Sequence, residues 1–436
     1  MSNPTHEHKK LSLRETLNKI ICSSRSNVFL VLVPVGYIVN YLTTNVILIF
    51  VMNFLAIIPS AKMLKFAAIE FSHHFGETLG SLLYISFYNL VELIVTIIAL
   101  VNGQIRVVQA AILGSIFSHL LLVLGLCFLV AGVEFYFKKN ELEQAFNSTA
   151  AQMSSSVMTL ACISLVIPAA FSLLINGNYN ASNASNNNVA DPKILYISYG
   201  TSMVLLIIYA LFLCFKLKTH KSMLEEYEIA IKEVKEETGE KMSVDGQTIE
   251  SEENGEHNGE HEHNGEYNGE HMDEKRKIDH PISIVAALTL LIIMTVIIGF
   301  SAEFLVKSIE GIVESHEISK TFIGIILFPM VGHGAKYVAS LRTARRGEMN
   351  AVIIISVGSA TQTALFITPI LVLLGWIINQ PMSLAFLPFE TICLFIAVVL
   401  KNYLVQVHGK SNWLEGALLI ATYLIIAVAF FFYPEH

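Results

Sequence analysis

An ionisable side chain inside an apolar run is costly in a bilayer, and where one occurs it marks an ion or proton pathway. Two stand out in this chain: Glu92 in NLVELIVTIIAL and Lys336 in GHGAKYVAS. Groups able to bind or relay ions are spaced around them. Asn89 lies three positions before Glu92, and His333 three before Lys336. Gly114-Ser115 begins 22 positions after Glu92, and Gly358-Ser359 begins 22 positions after Lys336. His119 follows the first serine and Gln362 the second. Carboxylate, carboxamide and hydroxyl oxygens suit a hard cation, imidazoles suit transition metals, and an ammonium occupies the place and charge of a cation. The chemistry read from this set is the binding and release of cations and protons, with Glu92 and Asn89 as metal ligands and Glu92, Asn89, Ser115, His119, His333, Lys336, Ser359 and Gln362 along the path.

Such residues need helices that cross a membrane, and the chain supplies them. Of 436 residues, 53% are hydrophobic and only 15% charged, and the mean hydropathy is +0.58. This composition requires a lipid bilayer. About 20 apolar residues cross one, which gives an all-α polytopic membrane protein of eleven spans, near 28-44, 45-69, 78-101, 105-133, 150-175, 194-216, 282-306, 320-343, 350-378, 383-403 and 412-433. The net charge of -8 sits mostly in one stretch, Glu225 to Glu274. The cysteines, Cys22, Cys127, Cys162, Cys214 and Cys393, are scattered and odd in number, and read as small core residues. The N-terminus is polar and basic, unlike a secretory signal.

The equal 22-residue offsets identify an internal repeat. With one span before it and five spans in each half, the second half enters from the opposite side, so the halves are inverted repeats of the kind that place a site near the midplane. The expected organisation is a basic N-terminus (1-27), an extra helix (28-44), a first repeat (45-216), an acidic loop (217-280) and a second repeat (281-436). Glu92 and Lys336 occupy equivalent places and are expected to face one another. Lys336 is roughly 16 residues, or about 24 Å, from Lys320, too far to snorkel easily.

Lys and Arg concentrate in cytoplasmic loops. A cytosolic N-terminus puts Lys9, Lys10, Arg14, Lys19, Arg25, Lys138, Lys139, Lys216, Lys218, Arg342, Arg345, Arg346, Lys401 and Lys410 inside, and leaves Arg106, Lys193, Lys307 and Lys320 opposite. The acceptor pattern N-x-[ST] at Asn180 and Asn183 then falls on the lumenal side, as does the C-terminus. From Met223 the acidic loop has apolar residues at helical spacing and then four Asn-Gly-Glu copies with interleaved histidines, a low-complexity spacer. The chain lacks H-E-x-x-H, a nucleophile elbow and a phosphate loop, so no enzyme, cofactor or nucleic-acid partner is expected. Its partners are inorganic cations and lipid, and self-association into a homo-oligomer is compatible with the pattern.

At FLAIIPSAKM, NLVELIVTIIAL, GQIRVVQAAILGS, GSATQTALFITPILVLLGW and SNWLEGALLIATYLIIAVAFFFYP the sequence resembles the cation/proton exchanger family, in particular fungal vacuolar calcium/proton exchangers. The resemblance covers all the spans and implies an antiporter of the vacuolar membrane that carries Ca²⁺ inward for protons. The family's two signature helices carry Gly-Asn with a glutamate three positions after the Asn. Here the first reads Tyr88-Asn89 with Glu92. The second reads Gly332-His333 with Lys336 in place of the glutamate and Tyr337 in place of a histidine. His119 stands where the family has asparagine, and of its paired acids after the second span only Glu70 remains, beside Ile69. Glu303, Glu390 and Glu415 match family acids; Glu303 is counted with Glu70 in the pathway, the others as helix-end residues. Three activities fit these departures: retained Ca²⁺/proton exchange with Lys336 losing its proton as Ca²⁺ enters, a transport-silent regulatory paralogue locked by Glu92 and Lys336, or altered cation selectivity through His119 and His333.

Overall fold

In hydrocarbon every backbone N–H and C=O has to be satisfied within the chain, so long runs of Leu, Ile, Val and Phe become helices. The computed structural model of the protein describes residues 25–75, 79–80, 83, 86–87, 89–139, 143–177, 192–216, 282–316, 318–406 and 409–433. Tyr88, Asn180, Asn183, the first 24 residues and the acidic loop lie outside the described residues. A short 3₁₀ stretch leads into α1 (Leu32–Leu42), followed by α2 (Val46–Ser72), α3 (Leu90–Val101), α4 (Ile105–Lys138), α5 (Ser148–Gly177) and α6 (Pro192–Cys214). The second half contains α7 (Ile284–His316), α8 (320–346), α9 (Met349–Ile377), α10 (Pro388–Gln406) and α11 (Trp413–Phe431).

Eight of these, α2, α4 to α7 and α9 to α11, are long and apolar enough to cross a membrane. Helix α8 is a ninth if its two parts, Lys320–Gly334 and Lys336–Arg346, bent by 68°, form one span. Helices α1 and α3 are shorter. The eleven expected crossings thus correspond to eight or nine helices of crossing length among the described residues, because the expected spans 28-44 and 78-101 are described as the shorter apolar helices Asn27–Leu42 and Leu90–Val101.

Local chemistry accounts for the boundaries. Asn45 interrupts the first long apolar run and caps α2, its side chain accepting the Leu48 N–H at 3.1 Å. Gly103, between α3 and α4, has φ +73, and Gly347, between α8 and α9, has φ +84. Both turns need a residue that enters the left-handed region without a Cβ clash. Gly347 follows Gly103 by the same 244 positions that separate Lys336 from Glu92. Within α4 and α9 the helix widens into π segments, Ser118–Val123 and Thr363–Ile367. A third, Ile323–Leu327, interrupts α8.

Packing is tightest where α4 crosses α8. A Cβ on Gly114 would lie 2.2 Å from the Ile325 carbonyl oxygen, and one on Gly324 2.4 Å from the Ala110 Cβ. Helices α2 and α7 lie against each other, and α1 joins them through the Tyr37 hydroxyl, which donates to the Ile297 carbonyl at 2.9 Å. At the α3/α4 turn, Arg106 pairs with buried Glu390 at 2.7 Å and donates to Thr321 at 3.2 Å. Glu390 also accepts the Leu387 N–H at 2.9 Å, and Glu415 completes a capping box with Asn412 at the start of α11. Both are helix-end acids. Lys401, within the expected span 383-403, is fully buried in α10 and donates to Ser155 of α5 at 3.0 Å. A two-residue antiparallel ladder, β1 (Gln144–Ala145) with β2 (Lys410–Ser411), ties the ends of these elements.

Candidate ion site

Glu92 falls in the first turn of α3, where unpaired backbone N–H groups and the helix dipole favour a carboxylate. Its helix is not capped by Asn89, whose side chain makes no cap bond and reaches across the protein instead. The Asn89 amide donates to Gln362 Oε1 at 2.9 Å, and its Oδ1 accepts from Lys336 Nζ. The Glu92 carboxylate meets His333 Nε2 at 3.1 Å and accepts from Thr363 Oγ1 at 3.4 Å. Thr363 is also 3.2 Å from Ser115 Oγ. The signature residues therefore interlock crosswise, Glu92 with His333 and Asn89 with Lys336, while Lys336 and Glu92 attract one another through space. Lys336 is only 2% exposed, so it does not snorkel.

The π segments place two of these groups. Thr363 opens the one in α9, and Thr368 Oγ1 bonds the Thr363 carbonyl at 2.8 Å within the widened turn. His119 lies in the one in α4, with its ring 4.3 Å from that of His333 at 43°. Neither His119 ring nitrogen has a hydrogen-bond partner among the described residues, although the side chain is fully buried. The two rings are tilted against each other, and among the described residues no group of three or more His, Cys, Asp or Glu is placed to hold a metal ion.

A cavity reaches the carboxylate, lined by Glu92, Thr96, Ala111, Ser115, Phe328 and His333 among others. Ser359 is buried one turn before Thr363 on α9. Two of the expected pathway acids lie elsewhere. Glu70, 1% exposed, accepts the Ile282 N–H at 2.9 Å, just ahead of α7. Glu303 accepts from Asn102 at 2.8 Å and pairs with Lys307 at 2.8 Å near the α3/α4 turn.

Sequence reasoning missed two members. Lys65 on α2 is 6% exposed and acts electrostatically on His119, His333 and Lys336. A lysine twenty residues into an apolar span should have drawn notice on the same ground as Lys336. Thr363 carries no such signal, since its role depends on the π turn.

The arrangement offers a single carboxylate lining a cavity, hydroxyl and carboxamide oxygens beside it, and the Lys336 amine already on one of the oxygens. It can hold a proton or a cation at Glu92, with Lys336 competing for the same place.

Comparison with known proteins identifies the family. A vacuolar calcium ion transporter of Schizosaccharomyces pombe is 37% identical over 95% of this chain and 87% of its own length. A Ca²⁺/H⁺ antiporter of Aphanothece halophytica is 34% identical over 93% of this chain and 95% of its own. The solved structure of native YfkE superposes with a TM-score of 0.66 at 25% identity, covering 93% of this chain and all of that one. Residues 45–218 and 286–432 match the sodium/calcium exchanger protein family, and the chain is a member of that family of secondary transporters.

Proposed function

We propose that the protein is a multi-pass antiporter of the vacuolar membrane that exchanges Ca²⁺ for protons at Glu92, with Lys336 as a built-in cation that has to give way before Ca²⁺ enters. The observation that carries this reading is the convergence of Glu92, Asn89, Ser115, Thr363 and Gln362 from three helices. Relatives named as vacuolar calcium transporters and Ca²⁺/H⁺ antiporters support the substrate and the membrane. Ca²⁺ wants about six to eight oxygens with carboxylate charge among them, and here one carboxylate serves where the resemblance implies two. The test is ⁴⁵Ca²⁺ uptake into acid-loaded proteoliposomes. Uptake that a protonophore abolishes and Glu92→Gln removes is expected; uptake indifferent to Glu92→Gln would sink the proposal.

One observation favours a second reading, a transport-silent paralogue. Lys336 takes the Asn89 oxygen that a bound cation would use. A native chain that moves no Ca²⁺, beside a Lys336→Glu variant that does, would establish it.

The proposal extends to architecture: eleven spans, with two inverted five-helix repeats after one extra helix. Its support is the 244-residue offset shared by Asn89 and His333, Glu92 and Lys336, Gly103 and Gly347, and Gly114 and Gly358. In this arrangement the N-terminus and the acidic loop are cytosolic and the C-terminus lumenal. Protease added to sealed vacuoles is expected to cut between residues 225 and 280. Protection there until detergent is added would reverse the orientation.

A further inference from the structure

On α9, hydroxyl residues recur at helical spacing and share one face. Ser356, Ser359 and Thr363 stand at i, i+3 and i+7, all three are buried, and Val352 and Glu348 continue the stripe back to the turn at Gly347. A matching stripe on α8 runs from Lys336 through Ser340 to Thr343, also buried. The two helices are neighbours joined by that turn. Ser340, seven residues before Gly347, and Ser356, nine after it, therefore lie about 10 and 14 Å along the hairpin. Both stripes lead from the ion site to the membrane face at Gly347. The cavity runs the other way along α8, from His333 back to Phe328.

Helical hydroxyls commonly bond the carbonyl one turn back, as Ser60, Ser198, Thr343 and Thr361 do at 2.8, 2.8, 3.1 and 2.7 Å. Ser340 and Ser356 do not. Each is fully buried, and neither Oγ has a hydrogen-bond partner among the described residues. An unpaired buried hydroxyl costs stability, and here two occur at nearly one level of one hairpin. Rungs three or four residues apart are separated by about 5–6 Å, the span of two O–H···O bonds of about 2.8 Å, so one water between rungs completes the bonds of both. The inner end meets the cavity through Ser115, which is in its lining and 3.2 Å from Thr363. At the outer end half-buried Glu348 donates its N–H to the Thr343 carbonyl at 3.3 Å. Thr343, four residues before Gly347, stands level with the apolar rung, Val352, five after it.

We propose that this seam conducts protons between the cavity and the membrane face at Gly347, with Ser340 and Ser356 as its middle rungs and Glu348 at its mouth, and that it does so without Ca²⁺. Each hydroxyl takes a proton on its oxygen as it passes its own to the next group. One proton enters at Ser115, one leaves from Glu348 to water, and no bond in the chain is changed overall. Helix α4 stays packed on the hairpin at this end, with Glu134 paired to Arg345 at 3.4 Å and the Phe135 ring against Gly347. Such packing suits a relay of protons and not the passage of a hydrated cation, so the activity is separate from exchange.

The test is proton flux into or out of proteoliposomes of the full-length chain, with a trapped pH dye, an imposed pH gradient, valinomycin and K⁺ to carry the balancing charge, and a chelator to remove Ca²⁺. Flux well above that of protein-free liposomes is expected. Threonine and valine share a shape and differ by the hydroxyl. Ser356→Thr should therefore keep the flux, and Ser356→Val should lower it about tenfold, the rate effect of losing one hydrogen bond. The same pair of changes at Ser340 should behave alike, and Glu348→Gln should lower the flux by removing the acceptor at the mouth. A purely structural role would move the threonine and valine variants together. The seam is overturned if the native chain adds no flux, or if Ser356→Thr and Ser356→Val pass protons equally. Ca²⁺ uptake without this flux would leave the exchanger reading and remove the seam; flux without Ca²⁺ uptake would do the reverse.

Discussion

Lys336→Glu is expected to raise proton-driven Ca²⁺ uptake at least about tenfold over the native chain. Two facing carboxylates offer two negative charges to a dication, whereas Glu92 with protonated Lys336 offers none in sum. At about 4 Å and an effective dielectric of about 20, one unit charge is worth about 4 kcal/mol, and a dication roughly doubles it. Relaxation and solvent reduce this, and a tenfold effect uses only about 1.4 kcal/mol of it. Lys65, buried on α2, still acts electrostatically on position 336 in the variant, so recovery should be incomplete. The triple variant Tyr88→Gly, His333→Asn and Lys336→Glu restores the residue types that the family resemblance implies, and should transport best. Lys336→Ala should not gain function in the same way. It strips buried Glu92 of the cation that attracts it, at a cost of about 3 kcal/mol, which a thermal unfolding comparison in detergent would register. Robust native uptake that Lys336→Glu leaves unchanged would show that Lys336 stands off the pathway.

Gly114→Ala is expected to abolish the folded protein, while Gly358→Ala at the corresponding place in the other half leaves it intact. A methyl group on Gly114 would sit 2.2 Å from the Ile325 oxygen and 2.5 Å from its Cα, both backbone atoms that no rotamer change can move. Overpacking of this kind costs about 1–3 kcal/mol when side chains can yield, and more where two backbones meet. At Gly358 no atom lies within 4 Å of such a methyl, and replacing glycine within a helix gains about 0.5–1 kcal/mol. Size-exclusion profiles and thermal midpoints of the two variants would decide. Equal behaviour would mean that the α4/α8 crossing does not hold these helices together.

Much of the scaffold was legible in the residues. The long apolar runs became helices, Asn45 separated the first two, and residues at equal spacing, Glu92, Asn89, His333 and Lys336, came to one place. The partnerships within that place were not legible. Whether Glu92 meets Lys336 or His333 depends on a shift of one helical turn across an interface, which spacing along the chain does not define. Glu70 and Glu92 both read as pathway acids, one at the end of an apolar span and one within, yet Glu70 takes the N–H of Ile282; the difference lies in which helix start folds against it. Thr363 and His119 owe their positions to turns wider than the periodicity from which helices are read.

Those wide turns also bear on how the length of α9 can change. A π segment accommodates one residue more than a regular helix would, whereas in ordinary pitch one residue corresponds to about 100° of rotation. The extra residue of Thr363–Ile367 is absorbed within its own turn, so the faces on either side keep their phase: Trp376 and Ile377 stay outward, 50% and 75% exposed, and Leu371 and Val372 stay buried. Deleting one residue inside the segment would let α9 close into ordinary pitch with its two ends nearly in phase, losing only the placement of Thr363. The same deletion anywhere else in α9 would turn everything beyond it by about 100°. The wide turn is thus the one stretch of α9 where length can change without turning the rest of the helix over.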